Sequence, residues 1–302
     1  MNYYKSCTLC PRKCKINRYQ ELGFCNLNNE LRVALAHPFF YEEPPISGTN
    51  GSGTIFFSGC NLKCIFCQNI KISKYNKGLK ISIKRLAEIM LELQKKKVHN
   101  INLVTPTMYI PSIIKAIKKA KKMGLKIPII YNSSGYENVE ALKLLNGYID
   151  VYLPDFKYFD NTLALKYSKC PNYLENVKQA IREMYKQTGP CIFDKDGIIK
   201  KGVIIRHLVL PNHIYDSKRI INYLYNEYHD NIFLSIMNQY TPNKEVKDKY
   251  LKRKLSNSDY NEIIDYAVSI GINNAFCQID GTVDESFIPD FNFEGIKKER
   301  SI

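Results

Sequence analysis

The chain reads as an α/β fold, and three observations predict it. From residue 54 onward short apolar runs alternate with stretches of helical period, the pattern of parallel βαβ units. Six strand–helix repeats fall between residues 53 and 240, too few for a closed eight-fold barrel, so a partial barrel and an open wound sheet both satisfy the pattern. No repeat of the 20–50-residue kind that marks a solenoid is present.

The elements follow in order. Residues 54–58 (TIFFS) form a short apolar run that reads as a buried strand. Residues 82–97 carry Ile83, Leu86, Ile89, Met90 and Leu93 on one helical face, with Ser82 as N-cap. Strand 100–105 comes next, then helix 111–123, opened by Pro111 and closed by Gly124. Strand 127–131, helix 137–145, strand 150–154 and helix 172–187 continue the alternation. After a turn at 194–197 come strand 202–210, helix 217–227 and strand 232–237, then helix 256–270 and a short strand near 275–279.

Flanking this core (53–240), residues 1–36 form a polar, Cys-rich metal-binding segment. Residues 37–52, dense in Pro, Gly and Ser, read as a linker loop. Residues 241–302 read as a C-terminal helical extension.

Composition excludes several classes. With 302 residues, 45% of them hydrophobic, the chain can bury a sizeable core and is not disordered. No apolar run approaches the roughly 20 residues that span a bilayer, and the start MNYYKSCTLC lacks an apolar signal region, so a cytoplasmic location and no membrane partner are expected. Lys and Arg number 44 against 29 Asp and Glu, a formal charge of +15. The lysines are dispersed, as in KKAKK at 118–122, so solvated helix faces account for most of the charge and nucleic acid is set aside as a partner. A basic rim would instead steer in an acidic electron donor of the flavodoxin or ferredoxin type.

The ten cysteines carry more information. Disulfides are rare in the cytosol, so the cysteines point to metal or redox chemistry. Cys7, Cys10, Cys14 and Cys25 form one group, and Cys60, Cys64 and Cys67 a second; Cys170, Cys191 and Cys277 read as small buried hydrophobes. The second group lies in Ser58-Gly-Cys60-Asn-Leu-Lys-Cys64-Ile-Phe-Cys67, directly after the first strand. It therefore sits at a strand's C-terminal end, where α/β folds bind ligands. A structural zinc wants four closed ligands, whereas a [4Fe–4S] cluster held by three Cys leaves one iron open for a small molecule. A zinc loop borrowing a distant fourth ligand leaves the strand context unexplained. Gly59 lets the backbone approach the cluster closely. The first group, Cys7-x2-Cys10-Pro-Arg-x-Cys14-x10-Cys25, offers four thiolates for zinc or a second cluster, and spacing does not separate the two.

The spacing Cys60-x3-Cys64-x2-Cys67, with Phe66 before the last Cys, resembles the signature of radical S-adenosylmethionine (SAM) enzymes. The resemblance implies a partial (β/α)6 barrel, and SAM chelated on the open iron and cleaved reductively to a 5′-deoxyadenosyl radical that abstracts a substrate hydrogen. Asp155-Phe-Lys157 resembles the Asp-x-Lys that lies against the cofactor's methionine moiety in glycyl-radical activating enzymes. Ser133 in Asn132-Ser-Ser-Gly135 resembles a cofactor contact of those enzymes, and Arg206 in Arg206-His-Leu-Val-Leu-Pro211 a side chain aimed at cofactor or substrate. The competing readings are a surface ion pair, an ordinary capped βα loop and a salt-bridged core arginine.

Strand two departs from the pattern. Where many of these enzymes carry Gly-Gly-Glu-Pro, this chain has Val104-Thr105-Pro106-Thr107-Met108, so Thr105 and Thr107 take over the amino-group contact or it is lost. Together EEPPISGTNGSGTIFFSGCN, HNINLVTPTMY, IIYNSSGYE, DVYLPDFKY and RHLVLP are similar to the bacterial and archaeal pyruvate formate-lyase activating enzyme homologues, with Met108 where histidine is expected. The reading adopted is hydrogen abstraction from a protein glycine, activating a glycyl-radical enzyme; the resemblance does not itself supply the physiological substrate. A radical enzyme acting on a small molecule or RNA, and a zinc-stabilised non-catalytic binding module, are the rival readings.

Overall fold

The structure, a computed structural model, describes residues 2–278 and 288–298. Strand β1 (Arg32–Phe39) and the short helix α1 (Pro44–Ser47) precede β2 (Ser52–Phe57). After β2 come α2 (Ile70–Ser73), β3 (Leu79–Lys80), α3 (Ile83–Lys95), β4 (Ile101–Val104), α4 (Ile110–Lys122), β5 (Ile129–Ser133), α5 (Val139–Lys143) and β6 (Val151–Pro154). The chain continues through α6 (Asn161–Ser168), α7 (Tyr173–Thr188), β7 (Ile192–Phe193), β8 (Ile199–Leu208), α8 (Ile214–Tyr228), β9 (Phe233–Met237), α9 (Asn257–Ser269) and β10 (Ala275–Cys277).

Helix starts are set by local chemistry. Ser82, Asn138, Asp160 and Ser256 each accept a backbone N–H of the first turn through the side chain, which satisfies a donor the helix cannot. After α4 the chain turns at Gly124, whose φ of +100° suits glycine.

One sheet runs β10-β9-β8-β6-β5-β4-β2-β1-β3, with β7 paired to β8. The strands from β2 to β10 along this path are parallel, and β1 and β3 add an antiparallel edge. The sheet is not closed. Helices cover one face over a large apolar core. On the other face, Ile46 of α1 packs against Ile130, Val151, Leu153, Ile199 and Ile204 as an apolar plug. Because side chains alternate along a strand, the same face continues upward from Ile130 to Asn132, from Leu153 to Asp155 and from Ile204 to Arg206. The lumen thus passes from an apolar floor to a polar layer at the C-terminal strand ends.

Three expectations need correction. The linker 37–52 is not loop throughout: it opens with the end of β1, which pairs with β2 from Val33↔Phe57 to Phe39↔Ser52, and it holds α1. Pro38 is tolerated there because the strand lies near the sheet edge. The segment 241–302, read as a helical extension, also adds to the sheet, since the short strand expected near 275–279 forms as β10 and pairs parallel to β9; Ile279 lies outside the described residues. Helix α6 went unread because only Ala164, Tyr167 and Ser168 of its eight residues are buried, too few for a visible apolar stripe. Cys170 is buried as expected, Cys191 is half-buried and Cys277 is exposed.

Candidate active site

The cysteine loop leaves β2 through Ser58 and Gly59. Gly59 has φ +81°, and a Cβ there would collide with Leu27, so the position requires glycine. Backbone bonds then pin the loop to the last turn of α6: Lys63 N–H donates to Ser168 O at 3.0 Å and Ile65 N–H to Tyr167 O at 2.9 Å. Asn61 Nδ2 donates to Tyr136 O at 2.6 Å. From the far side, Asn243 Nδ2 donates to Cys67 O at 3.3 Å, and Phe66 packs edge-on against Tyr240 at 5.8 Å.

The loop directs its three thiols into a cavity of about 240 Å³. Phe66, Thr105, Ser133, Asp155, Lys157 and Arg206 line the same cavity. Five strands' C-terminal ends thus converge on one space. Lys157 Nζ donates to Asp155 Oδ2 at 2.6 Å, and Arg206 Nε donates to Asp155 Oδ1 at 2.9 Å. Burial would push the Asp155 carboxyl up, but the two cations outweigh it and hold the pKa below its ordinary value. Burial likewise opposes the Lys157 charge, and Asp155 and Cys64 together raise its pKa.

Burial pushes all three thiols up, Cys64 to about 11, with Lys157 working against it there. Thiolates at these positions therefore need a cation. Ser168 Oγ donates to Cys64 Sγ at 2.9 Å, and Cys67 Sγ lies 3.2 Å from Ser73 Oγ. Among the described residues no three His, Cys, Asp or Glu side chains are gathered as the ligands of one ion are. Three half-buried thiols lining one cavity are the donor set of a cluster whose ligands sit on different irons.

Three strand-end details refine the expectations. Thr105 adopts φ +59°, unusual for a β-branched residue, with its N–H bonded to Asn132 O at 2.9 Å. Thr107 does not face the cavity, because its hydroxyl is buried and donates to Glu137 Oε1 at 2.7 Å. Ser133 Oγ accepts from Gly135 N–H at 3.3 Å, and a Cβ on Gly135 (φ +73°) would collide with Asp155 O, which fits a tight turn there.

Glu42 and Asn132 join the site although no motif points to them. Glu42 Oε2 accepts from Arg206 Nη1 at 3.2 Å, and Asn132 Oδ1 accepts from Arg206 Nη2 at 2.6 Å. The signal for Glu42 was its place in an acid doublet within an otherwise uncharged Pro- and Gly-rich segment.

Of the N-terminal cysteines, Cys7, Cys10 and Cys25 are buried and Cys14 is half-buried. Burial raises the Cys10 and Cys25 thiols, and each feels the charge of other members of the group. The segment packs onto the central loop: Arg12 Nε donates to Asn61 O at 3.1 Å, and Asn138 Nδ2 donates to Thr8 O at 2.6 Å. No helix among the described residues is long and apolar enough to cross a membrane.

Comparison with known proteins bears on these features. The profile of the radical SAM superfamily matches residues 54–224. The Methanocaldococcus jannaschii protein MJ0674 is 32% identical over 277 residues, covering 88% of this chain and 75% of the relative. Among solved structures, Streptococcus suis SuiB bound to S-adenosylmethionine is 16% identical with a TM-score of 0.50, over 74% of this chain and 49% of SuiB. The chain therefore spans about half of SuiB, and at that identity the likeness is one of fold. A domain of a pyruvate-formate lyase-activating enzyme from Bacteroides vulgatus is 16% identical over 57% of this chain and 93% of that domain, at a TM-score of 0.41.

Proposed function

This chain belongs to the radical SAM superfamily, and from that premise we propose that it activates a glycyl-radical protein by abstracting a hydrogen from one of its glycines. A [4Fe–4S] cluster and SAM are the superfamily's cofactors; together they supply a reductively generated 5′-deoxyadenosyl radical. The observation that carries the reading is the convergence of Cys60, Cys64 and Cys67 with the Asp155–Lys157 pair on one cavity at the strand ends.

In this reading the three cysteines hold the cluster. Asp155 and Lys157 present an acid and an ammonium to the zwitterionic methionine end of SAM, and Phe66 shields the cluster from water. Ser133 and the Thr105 backbone supply polar contacts from the neighbouring strands, and Arg206 closes the polar layer below. The chain's formal charge of +15 would steer in an acidic flavodoxin- or ferredoxin-type donor, and the superfamily requires a reductant. The N-terminal cysteines hold a second metal, zinc or a cluster.

The test is anaerobic reconstitution with iron and sulfide, then reaction with dithionite, SAM and a glycyl-radical partner protein whose glycines carry α-deuterium. The expected outcome is deuterium in 5′-deoxyadenosine and a glycyl radical by electron paramagnetic resonance. Deuterium transfer from a small molecule or RNA, with none from the protein, would overturn the glycyl-radical assignment while leaving radical chemistry in place.

A further inference from the structure

Beneath the cavity one side chain reaches β4, β5 and β8, of which β8 is not a neighbour of β4 or β5 in the sheet. Glu42 lies between β1 and α1 and does not line the cavity itself. Its Oε1 accepts from Asn102 Nδ2 of β4 at 2.9 Å and from Asn132 Nδ2 of β5 at 3.4 Å. Its Oε2 accepts from Arg206 of β8 at 3.2 Å. Arg206 in turn bonds Asp155, at the end of β6, and Asn132. A guanidinium has five N–H groups; Glu42, Asp155 and Asn132 take three, which leaves one on each terminal nitrogen for a ligand.

The charged groups that act on Glu42 are Arg206 from β8, Asp155 from the end of β6 and its own neighbour Glu43. Burial is the strongest influence and pushes the Glu42 carboxyl up to about 7, against the pull of Arg206. Glu43 is buried beside it, with Oε2 free of any hydrogen bond among the described residues.

We propose that Glu42 is a positioning residue: it fixes the Arg206 guanidinium and the Asn132 amide so that their cavity-facing atoms meet a carboxylate of the ligand. The role rests on reading the cavity as the SAM site. Arg206 touches the ligand and Glu42 acts through it. Ionised Glu42 grips the guanidinium more strongly than the neutral acid, so the hold tightens as pH rises through about 7.

The test uses the full chain with its cluster reconstituted, and two probes. S-adenosylhomocysteine carries the amino-acid carboxylate and 5′-methylthioadenosine lacks it. Glu42→Gln and Glu42→Ala are compared with wild type at pH 6 and pH 8, with melting temperature and circular dichroism reporting the fold. Nitrogen-15 spectra of labelled arginine report whether the Arg206 guanidinium is immobilised.

At pH 8, S-adenosylhomocysteine should bind Glu42→Gln about tenfold more weakly than wild type, the loss of one charge-assisted bond. At pH 6 the two proteins should converge, and methylthioadenosine should be indifferent to both substitutions. Immobilised Arg206 signals should be lost in Glu42→Ala and kept in Glu42→Gln at low pH. Should Glu42→Ala fail to fold, Glu42→Gln carries the test alone. An unchanged pH profile in a folded Glu42→Gln protein, equal weakening of both probes, or unaltered Arg206 signals in folded Glu42→Ala would each overturn the proposal. Failure of the SAM reading shows separately, as absence of 5′-deoxyadenosine from wild-type protein with dithionite and SAM, and the arginine spectra still decide what Glu42 does.

Discussion

The two cysteine groups have similar spacings and different surroundings. The central loop is pinned by bonds to the last turn of α6, to Tyr136 and to Asn243, and its thiols share a cavity with Lys157, Asp155 and Arg206. The N-terminal group is held mainly by its own turns: Cys7 N–H donates to Ile16 O at 3.0 Å, Lys15 N–H to Cys7 O at 2.9 Å and Lys13 N–H to Cys10 O at 3.0 Å. Arg18, buried and bonded to Met108 O at 2.7 Å, acts on Cys25, and Glu137 acts on Cys10. Spacing counts ligands. Whether ligands face a substrate depends on what other strands place opposite them.

The sharpest way to break this contrast is to remove cysteines from each side. Cys60→Ala, Cys64→Ala and Cys67→Ala should each abolish 5′-deoxyadenosine formation, read by chromatography. Substitution of Cys7, Cys10, Cys14 or Cys25 should lower stability or electron delivery and leave the ~400 nm absorbance of the central cluster. Full cofactor cleavage by any central variant would erase the distinction.

Lys157→Met tests the charged wall that only the central group possesses. It leaves Asp155 with Arg206 as its remaining cation, so the expected cost is that of one lost buried partner, about 1–3 kcal/mol. Chemical denaturation of the apoprotein should show it, and a loss under 1 kcal/mol would mean the pair is well solvated.

Arg12→Ala addresses the contact between the two groups. Arg12 donates to Asn61 O and Lys169 O and lies 3.8 Å from the Phe24 ring centroid. The expected cost is about 1–3 kcal/mol, seen as faster proteolysis within residues 1–30 while the central cluster still assembles. Equal loss of both clusters or metals would show that the two regions are one unit.

The smallest effect concerns pH. Burial raises the Glu137 carboxyl to about 7 from 4.5, so the folded protein keeps a proton that the unfolded chain releases. Stability therefore falls as pH rises from about 4.5 to 7, with a slope of at most about one proton. Glu137→Gln should remove that slope while Glu42 keeps its own, so urea midpoints at pH 5 and pH 8 should differ less in the variant. An unchanged difference would locate the titration elsewhere.

Much of the fold was legible because its signals are local. The Ser82 cap, the apolar stripe of α3 and the TIFFS run each act within one turn or one strand, and all appear where expected. The cavity residues Ser133, Asp155, Lys157 and Arg206 were found by strand position and resemblance together. Less legible were α6, with little buried surface, and β1, whose strand character shows only once β2 lies beside it.

By itself the sequence determined the α/β class, the three-cysteine loop and its place after a strand, because spacing and periodicity are properties of contiguous chain. Only the tertiary structure decided that Glu42, in a stretch read as linker, braces Arg206, that Thr107 turns away toward Glu137, and that the N-terminal cysteines lie against the central loop through Arg12. Those contacts join residues far apart in the chain. They exist because the parallel sheet brings its strand ends to one rim, where buried acids and cations must find one another or remain unpaired.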